Sequence, residues 1–407
     1  MLQPYREVLA RPGALAFSAA GVLARLPISM VGIGIVLAVS SLYGSYGMAG
    51  RISAVYVVVQ AVCAPILARL VDRHGQSRIM RPAILLTAIG LAAFVAAAAT
   101  QAHRGWLYAL AVVIGASSGS MGALVRARWS FVVTDHRALH TAYSLESALD
   151  ELVFVIGPVL ATLLATSVTP TAGLLVPAFA VLLGGLAFLA QKATEPPPSP
   201  RVAGVPHRSV MRSGSMVVLA LVFIGMGAIF GATDVAVVAF AEEQGRKGLA
   251  GVILAVFALG SLLAGLAYGS RHFVRPLWQR FALGMVALAV GVSLFELVDS
   301  LGALAAVMFV TGFSIAPTLI NGNGLVQEIV PRTQLTEGLT WVGTSLGVGV
   351  SFGSSIAGSL IDVRGSHGGF LVVQVAAVFS VVATLLSLRR LRADSRRAAA
   401  RRVSTVA

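Results

Sequence analysis

Charged residues make up only 11% of the 407 positions, and five of them fall inside long apolar stretches: Arg25, Glu146, Asp150, Glu151 and Asp234. A charge at the middle of a bilayer costs on the order of 2.5–3.5 kcal/mol, so each must face a partner or a cavity. At roughly 1.5 Å per residue, Arg25 lies about 17 Å along its stretch, and Asp150 and Glu151 about 14–15 Å along theirs. All three are then near the midplane. Glu146 precedes Asp150 by one turn on the same helical face, whereas Glu151 points about 100° away. Arg25 with Asp150 or Glu151 is the expected intramembrane ion pair, and three acids against one arginine leave negative charge that a proton would relieve. A pair that only ties helices together is the alternative. Asp234, alone in Gly231-Ala-Thr-Asp234, is a candidate for cation recognition or proton coupling; the alternative is a local bond or outward snorkelling. Gln60, Asn321 and Asn323 are the uncharged polar candidates. The last two sit in Ala316-Pro-Thr-Leu-Ile-Asn-Gly-Asn-Gly324, where proline and glycines could loosen a helix so that the amides line a path, or simply bond neighbouring helices.

The elements that must position these groups are membrane helices. About twelve apolar runs of some 20–28 residues recur along the chain, and roughly 20 residues are needed to cross a 30 Å hydrocarbon layer. Irregular backbone cannot face lipid, so the runs are helices. The expected spans are 14–41, 47–70, 82–102, 106–125, 141–167, 172–191, 215–241, 249–270, 278–299, 302–325, 336–361 and 369–388. Hydrophobic residues at 57% exceed what a soluble core of this size requires.

Net charge is +14, yet its placement argues against nucleic acid. Of the 30 Lys and Arg, 24 fall on alternate loops and the tail beginning with the N-terminus, and five on the opposite set. This positive-inside bias places both termini in the cytoplasm of a multi-pass cell-membrane protein. Arg389 to Arg402 form a basic tail expected to rest on anionic lipid. The sole cysteine, Cys63, excludes an intrachain disulfide and is read as a packing residue. The first apolar run is too long for a cleavable signal.

The longest interruption, 192–214, contains Thr194-Glu-Pro-Pro-Pro-Ser-Pro200, an extended spacer because prolines forbid helix. The chain is thus expected to divide into a six-helix bundle (1–191), a cytoplasmic linker (192–214), a second six-helix bundle (215–388) and the basic tail (389–407). A faint echo, Gly44-Ser-Tyr-Gly-Met-Ala-Gly50 against Gly245-Arg-Lys-Gly-Leu-Ala-Gly251, supports two related halves.

Between spans 2 and 3 the sequence reads Ala68-Arg-Leu-Val-Asp-Arg-His-Gly-Gln-Ser-Arg78. It resembles the Gly-x-x-x-Asp-Arg-x-Gly loop of the major facilitator superfamily, matching at Asp72, Arg73 and Gly75, with Arg78 as a late basic residue. Ala68 replaces the first glycine, and Gln76 and Ser77 the first basic pair. The resemblance implies that Asp72 faces the start of helix 11, near Thr336-Glu337, as a cytoplasmic gate made with Arg73, Gly75 and Arg78. It also implies that spans 1, 4, 7 and 10 line a central cavity. Gly157-Pro158 in span 5 resembles the antiporter element of the bacterial drug:proton antiporters, although the upstream glycines are missing. The basic residue those exporters carry in span 4 is absent from Ala111–Ser120.

No Walker-type loop occurs, so nucleotide hydrolysis does not drive this chain, and Gly115–Gly122 is read as helix packing. All seven histidines lie in loops or near helix ends, and no zinc-type spacing occurs. The expectation is an all-α polytopic membrane protein, twelve helices in two pseudo-symmetric six-helix bundles. It is a secondary transporter and not an enzyme, without metal or cofactor. It exports a small amphipathic organic compound in exchange for protons, as a monomer. The rivals are a proton-coupled importer of sugars or organic acids and a non-transporting membrane sensor or scaffold.

Overall fold

The computed structural model describes residues 3–198, 209–246, 249–271 and 273–404, and among them there is no strand. A short helix α1 (Gln3–Leu9) leads into two compact units, Arg6–Asp135 with Leu149–Pro206, and Met1–Tyr5 with His136–Ala148 and His207–Ala407. The first holds α2 (Ala14–Tyr43), α3 (Tyr46–His74), α4 (Gln76–Ala99), α5 (Arg104–Ser117), α6 (Met121–Val132), most of α7 (His136–Ser167) and α8 (Ala172–Ala190). The second holds the opening of α7 together with α9 (Gly214–Glu243), α10 (Ala250–Gly269), α11 (Leu277–Ser293), α12 (Leu301–Gly312), α13 (Ile315–Ile329), α14 (Leu335–Arg364) and α15 (Ser366–Ser404). In the first unit α2 packs between α8 and α3; in the second, α9 packs between α14 and α15.

Among the described residues twelve segments are long and apolar enough to cross a membrane. Two of them are broken. The fourth, Arg104–Val132, is α5 and α6 separated by Ser118-Gly119-Ser120, and the tenth, Leu301–Ile329, is α12 and α13 separated by Phe313-Ser314. Hydroxyl groups at both breaks bond carbonyls of the preceding turn. The Ser118 amide and hydroxyl both donate to Ile114 O, at 3.0 and 2.7 Å. Ser117 Oγ donates to Val113 O and meets Thr87 Oγ1 at 2.8 Å. At the second break Ser314 Oγ donates to Thr311 O at 2.6 Å and the Phe313 amide to Val310 O. The fourth span also runs seven residues past the boundary at 125 drawn from sequence, which corrects the placement of Arg126 and Arg128: both lie in α6, not in a loop.

The interruption after α8 opens with a 3₁₀ turn, Lys192–Thr194, and continues extended from Glu195 into the prolines. Its residues 199–208 lie outside the described residues, as do Lys247 and Gly248 of the repeat echo and the last three residues of the tail. Beyond the apolar stretch α15 remains helical through the basic segment. Ser215 Oγ on α9 donates to Asp394 Oδ2 at 2.6 Å, Ser395 Oγ donates to Glu328 Oε1 at 2.8 Å, and the Arg392 guanidinium lies 5.7 Å from the Trp278 ring centre.

Candidate functional site

The charged centre of the first unit is built on α2, α6 and α7. Arg25 Nη1 donates to Asp150 Oδ1 at 2.6 Å, and Arg126 Nη2 donates to Asp150 Oδ2 at 2.6 Å. One carboxylate therefore holds two guanidiniums, each on its own oxygen. The arginines are also tied to their own helices: Arg25 Nε donates to Gly21 O at 3.1 Å, and Arg126 Nη1 to Gly122 O at 3.4 Å. Their side chains are 3% and 9% exposed, against 27% for Asp150. Charge-assisted bonds of this kind are about twice as strong as neutral ones, and the planar guanidinium is preorganised for them.

Close helix packing sets the geometry. A methyl on Gly157 would strike Ser29 of α2, one turn beyond Arg25, and a methyl on Gly21 would strike Val125 of α6. Gly157-Pro158 thus lets α7 approach α2 close to the ion pair.

The expected pair between Arg25 and a span-5 acid is present, with Asp150 as the acid. The charge count behind it is corrected by Arg126, a second arginine in the span where sequence reasoning saw no basic residue. One signal was present: Ala127, Trp129, Phe131 and Val132 continue the apolar run around the two arginines, so the span could be extended past Val125. Glu146 is buried and Glu151 half-buried, and each has interactions of its own.

Asp234 on α9 is exposed, between buried Thr233 and half-buried Val235, and it makes no hydrogen bond or ion pair among the described residues. Gln60 is half-buried on α3. Asn321, read as lining a path or bonding a neighbouring helix, is buried: its Nδ2 donates to Tyr268 Oη at 2.9 Å, and Arg280 Nη1 donates to the same phenol at 3.3 Å. Asn323 Nδ2 donates back to Leu319 O of its own helix at 3.0 Å.

At the α3–α4 turn, Asp72 and Arg73 are half-buried and Arg78 is exposed. Gly75 has φ 94° and ψ 151°, a conformation essentially confined to glycine. Two of the three residues that depart from the family pattern, Gln76 and Ser77, carry a network of their own. Gln76 Oε1 accepts from Arg128 Nε at 2.9 Å, and the Ser77 amide and hydroxyl donate to Glu195 Oε1 and Oε2 at 2.7 and 2.6 Å. Arg128, fully buried, also donates to Gln191 O and Thr194 Oγ1 at 2.9 Å each and lies 3.8 Å over the Phe188 ring. Burial opposes ionisation of Glu195, but the Ser77 bonds and Lys192, 3.0 Å away, outweigh it and hold its carboxyl below the usual range. A carboxylate at the first turn of α4 also complements the positive end of the helix dipole. In the second unit Glu243 does the same for α15, accepting from the Ser366 amide and hydroxyl at 2.6 and 2.5 Å.

Among the described residues no cluster of three or more histidine, cysteine or acidic side chains is placed to hold a metal ion.

A family model described as Major Facilitator Superfamily matches residues 17–282 and 239–406. The fold is similar to that of the human organic anion transporter MFSD10 (TETRAN), with a TM-score of 0.67 and 15% identity, covering 94% of this chain and 99% of that one. It is also similar to a bacterial homologue of the iron transporter ferroportin in its outward-facing state, with a TM-score of 0.70 and 13% identity over the same shares of the two chains. At such identities the likeness is one of fold alone. No curated protein matches by sequence.

Proposed function

This chain belongs to the major facilitator superfamily, a family of membrane transporters, and we propose that it exports a small amphipathic organic compound across the cell membrane in exchange for protons. The observation that carries this reading is the Arg25–Asp150–Arg126 centre deep in the first unit. Charges at that depth are costly and need a task. Asp234 supplies the complementary feature, a carboxylate in a span with no partner among the described residues, suited to carry the proton. In this scheme Arg25 and Arg126 face substrate, Gln60 lines its path, and Glu146 and Glu151 modulate the centre from α7. The two helix bundles alternate access to it. Asp72 with Arg73, Gly75 and Arg78 forms the cytoplasmic gate, and the exposed Arg389, Arg390, Arg392, Arg396 and Arg397 on α15 rest on anionic lipid.

The test is accumulation of a chemically broad compound panel in cells lacking their own efflux pumps, against an empty vector, with and without a protonophore. Lower accumulation that the protonophore reverses is the expected result. Higher accumulation would replace export by import, and no change together with a mapped binding partner would replace transport by a scaffold role.

A further inference from the structure

We infer that Arg25 and Arg126 bind the anionic group of the transported compound, and that Asp150 occupies their site while that compound is absent. The inference rests on the transport reading above and adds the substrate's chemical class. A bound carboxylate, sulfonate or phosphonate would present two oxygens to two guanidiniums, and Asp150 already does this with one oxygen on each arginine at 2.6 Å.

The receptor half of the arrangement is rigid. Each guanidinium spends one nitrogen on the carbonyl four residues earlier in its own helix, Gly21 for Arg25 and Gly122 for Arg126, and points another at the carboxylate. Both arginine side chains are at least nine-tenths buried, whereas the Asp150 side chain is 27% exposed. The open side of the centre is therefore the side of the exchangeable ligand. Preorganised donors of this kind lower the ordering cost of binding. The N-terminus of α6, at Met121 and Gly122, lies within a turn and a half of Arg126 and adds the positive end of a helix dipole. Two guanidiniums side by side disfavour a cationic head in that position and reward an anionic one. Binding is then an exchange of one carboxylate for another, with no bond made or broken in the substrate. Glu146 and Glu151 lie on the same helix and hold interactions of their own.

The experiment uses the full chain in nanodiscs of zwitterionic lipid. The probes are matched carboxylate, amide and ammonium forms of a benzyl, a naphthyl and a decyl compound, read by thermal stabilisation and titrated for affinity. Wild type should be stabilised by carboxylate forms over amide and ammonium forms. Arg126→Gln should weaken carboxylate binding by roughly tenfold or more, with Arg126→Lys intermediate because it keeps charge but loses the fork. Asp150→Asn should tighten carboxylate binding roughly tenfold, because it removes a charged competitor that holds both arginines. A merely structural ion pair would instead weaken binding in parallel with Arg126→Gln.

Equal response to the three forms, a preference for the ammonium, an unchanged Arg126→Gln, or weakened binding in Asp150→Asn would each overturn the inference. If a variant fails to insert, the wild-type preference alone decides. Carboxylate binding without protonophore-sensitive movement would sink the transport reading and leave the anion site; protonophore-sensitive export of amides or amines only would do the reverse.

Discussion

Asp150 and Asp234 are both aspartates set within membrane-spanning helices, and their surroundings could hardly differ more. Asp150 holds two arginines at 2.6 Å each, inside a unit where another buried charge, Arg128, is likewise enclosed by acceptors and an aromatic ring. Asp234 is exposed and makes no bond among the described residues. The difference teaches that a charge in a span has two stable solutions, a dedicated counter-charge or an open face. The first keeps charges paired until another ion displaces one of them, and the second suits a group that must take up and release a proton.

Substitutions can break this comparison. The largest effect is expected from Asp150→Ala, which strips both arginines of their shared carboxylate: breaking a buried ion pair costs about 3–5 kcal/mol, measurable as a lowered unfolding midpoint in detergent. Asp234→Ala should leave that midpoint within about 0.5 kcal/mol; an equal loss in both would show that Asp234 has a structural partner after all. Asp234→Asn should nonetheless reduce proton-driven export by more than tenfold, on the order of 1.4 kcal/mol in barrier, with protein level in the membrane unchanged. Retained coupling would move the proton to another carboxyl. Gly75→Ala should cost about 1–3 kcal/mol, since φ 94° at this turn excludes a side chain.

The smallest effect belongs to Glu195, whose bonds to Ser77 extend the paired-charge pattern to the end of α4. Glu195→Gln should cost about 1 kcal/mol at neutral pH. The sign follows from linkage: a carboxyl held below its ordinary value near 4.5 stabilises the fold above that value. That contribution is lost as pH falls through the lower folded-state value. Wild type should therefore lose more stability than the glutamine variant between neutral pH and pH 3, and parallel curves would mean that the clasp contributes nothing.

Most of the fold was legible because a bilayer imposes one length and one polarity on every span. The twelve runs, the turn at Gly75 and the pairing of Arg25 with a span-5 acid could all be read from residue type and spacing. Arg126 escaped because a charge near the end of an apolar run is usually a loop residue. Only the position of Asp150 on a neighbouring helix makes it a buried ligand. The breaks in the fourth and tenth spans escaped for a related reason: Ser118-Gly119-Ser120 and Phe313-Ser314 are compatible with unbroken helix, since serine hydroxyls bond carbonyls of continuous helices too. For Asn321 the sequence left a path-lining amide and an interhelical bond both open, because an amide in a span suits a cavity and a phenol equally, and the bond to Tyr268 fits the second.

The two interrupted spans carry a consequence for solvent. Each break adds a helix start and a helix end part-way through the membrane's thickness, and every helix start leaves several amide protons outside the helical ladder. Protons of that kind trade readily with water wherever water can reach them, while those of a continuous transmembrane helix barely trade at all. Deuterium should therefore enter the backbone around 118–122 and 313–316 sooner than the helical stretches on either side. The two interruptions would appear in such an experiment as wet rings at matching places in the fourth and tenth spans.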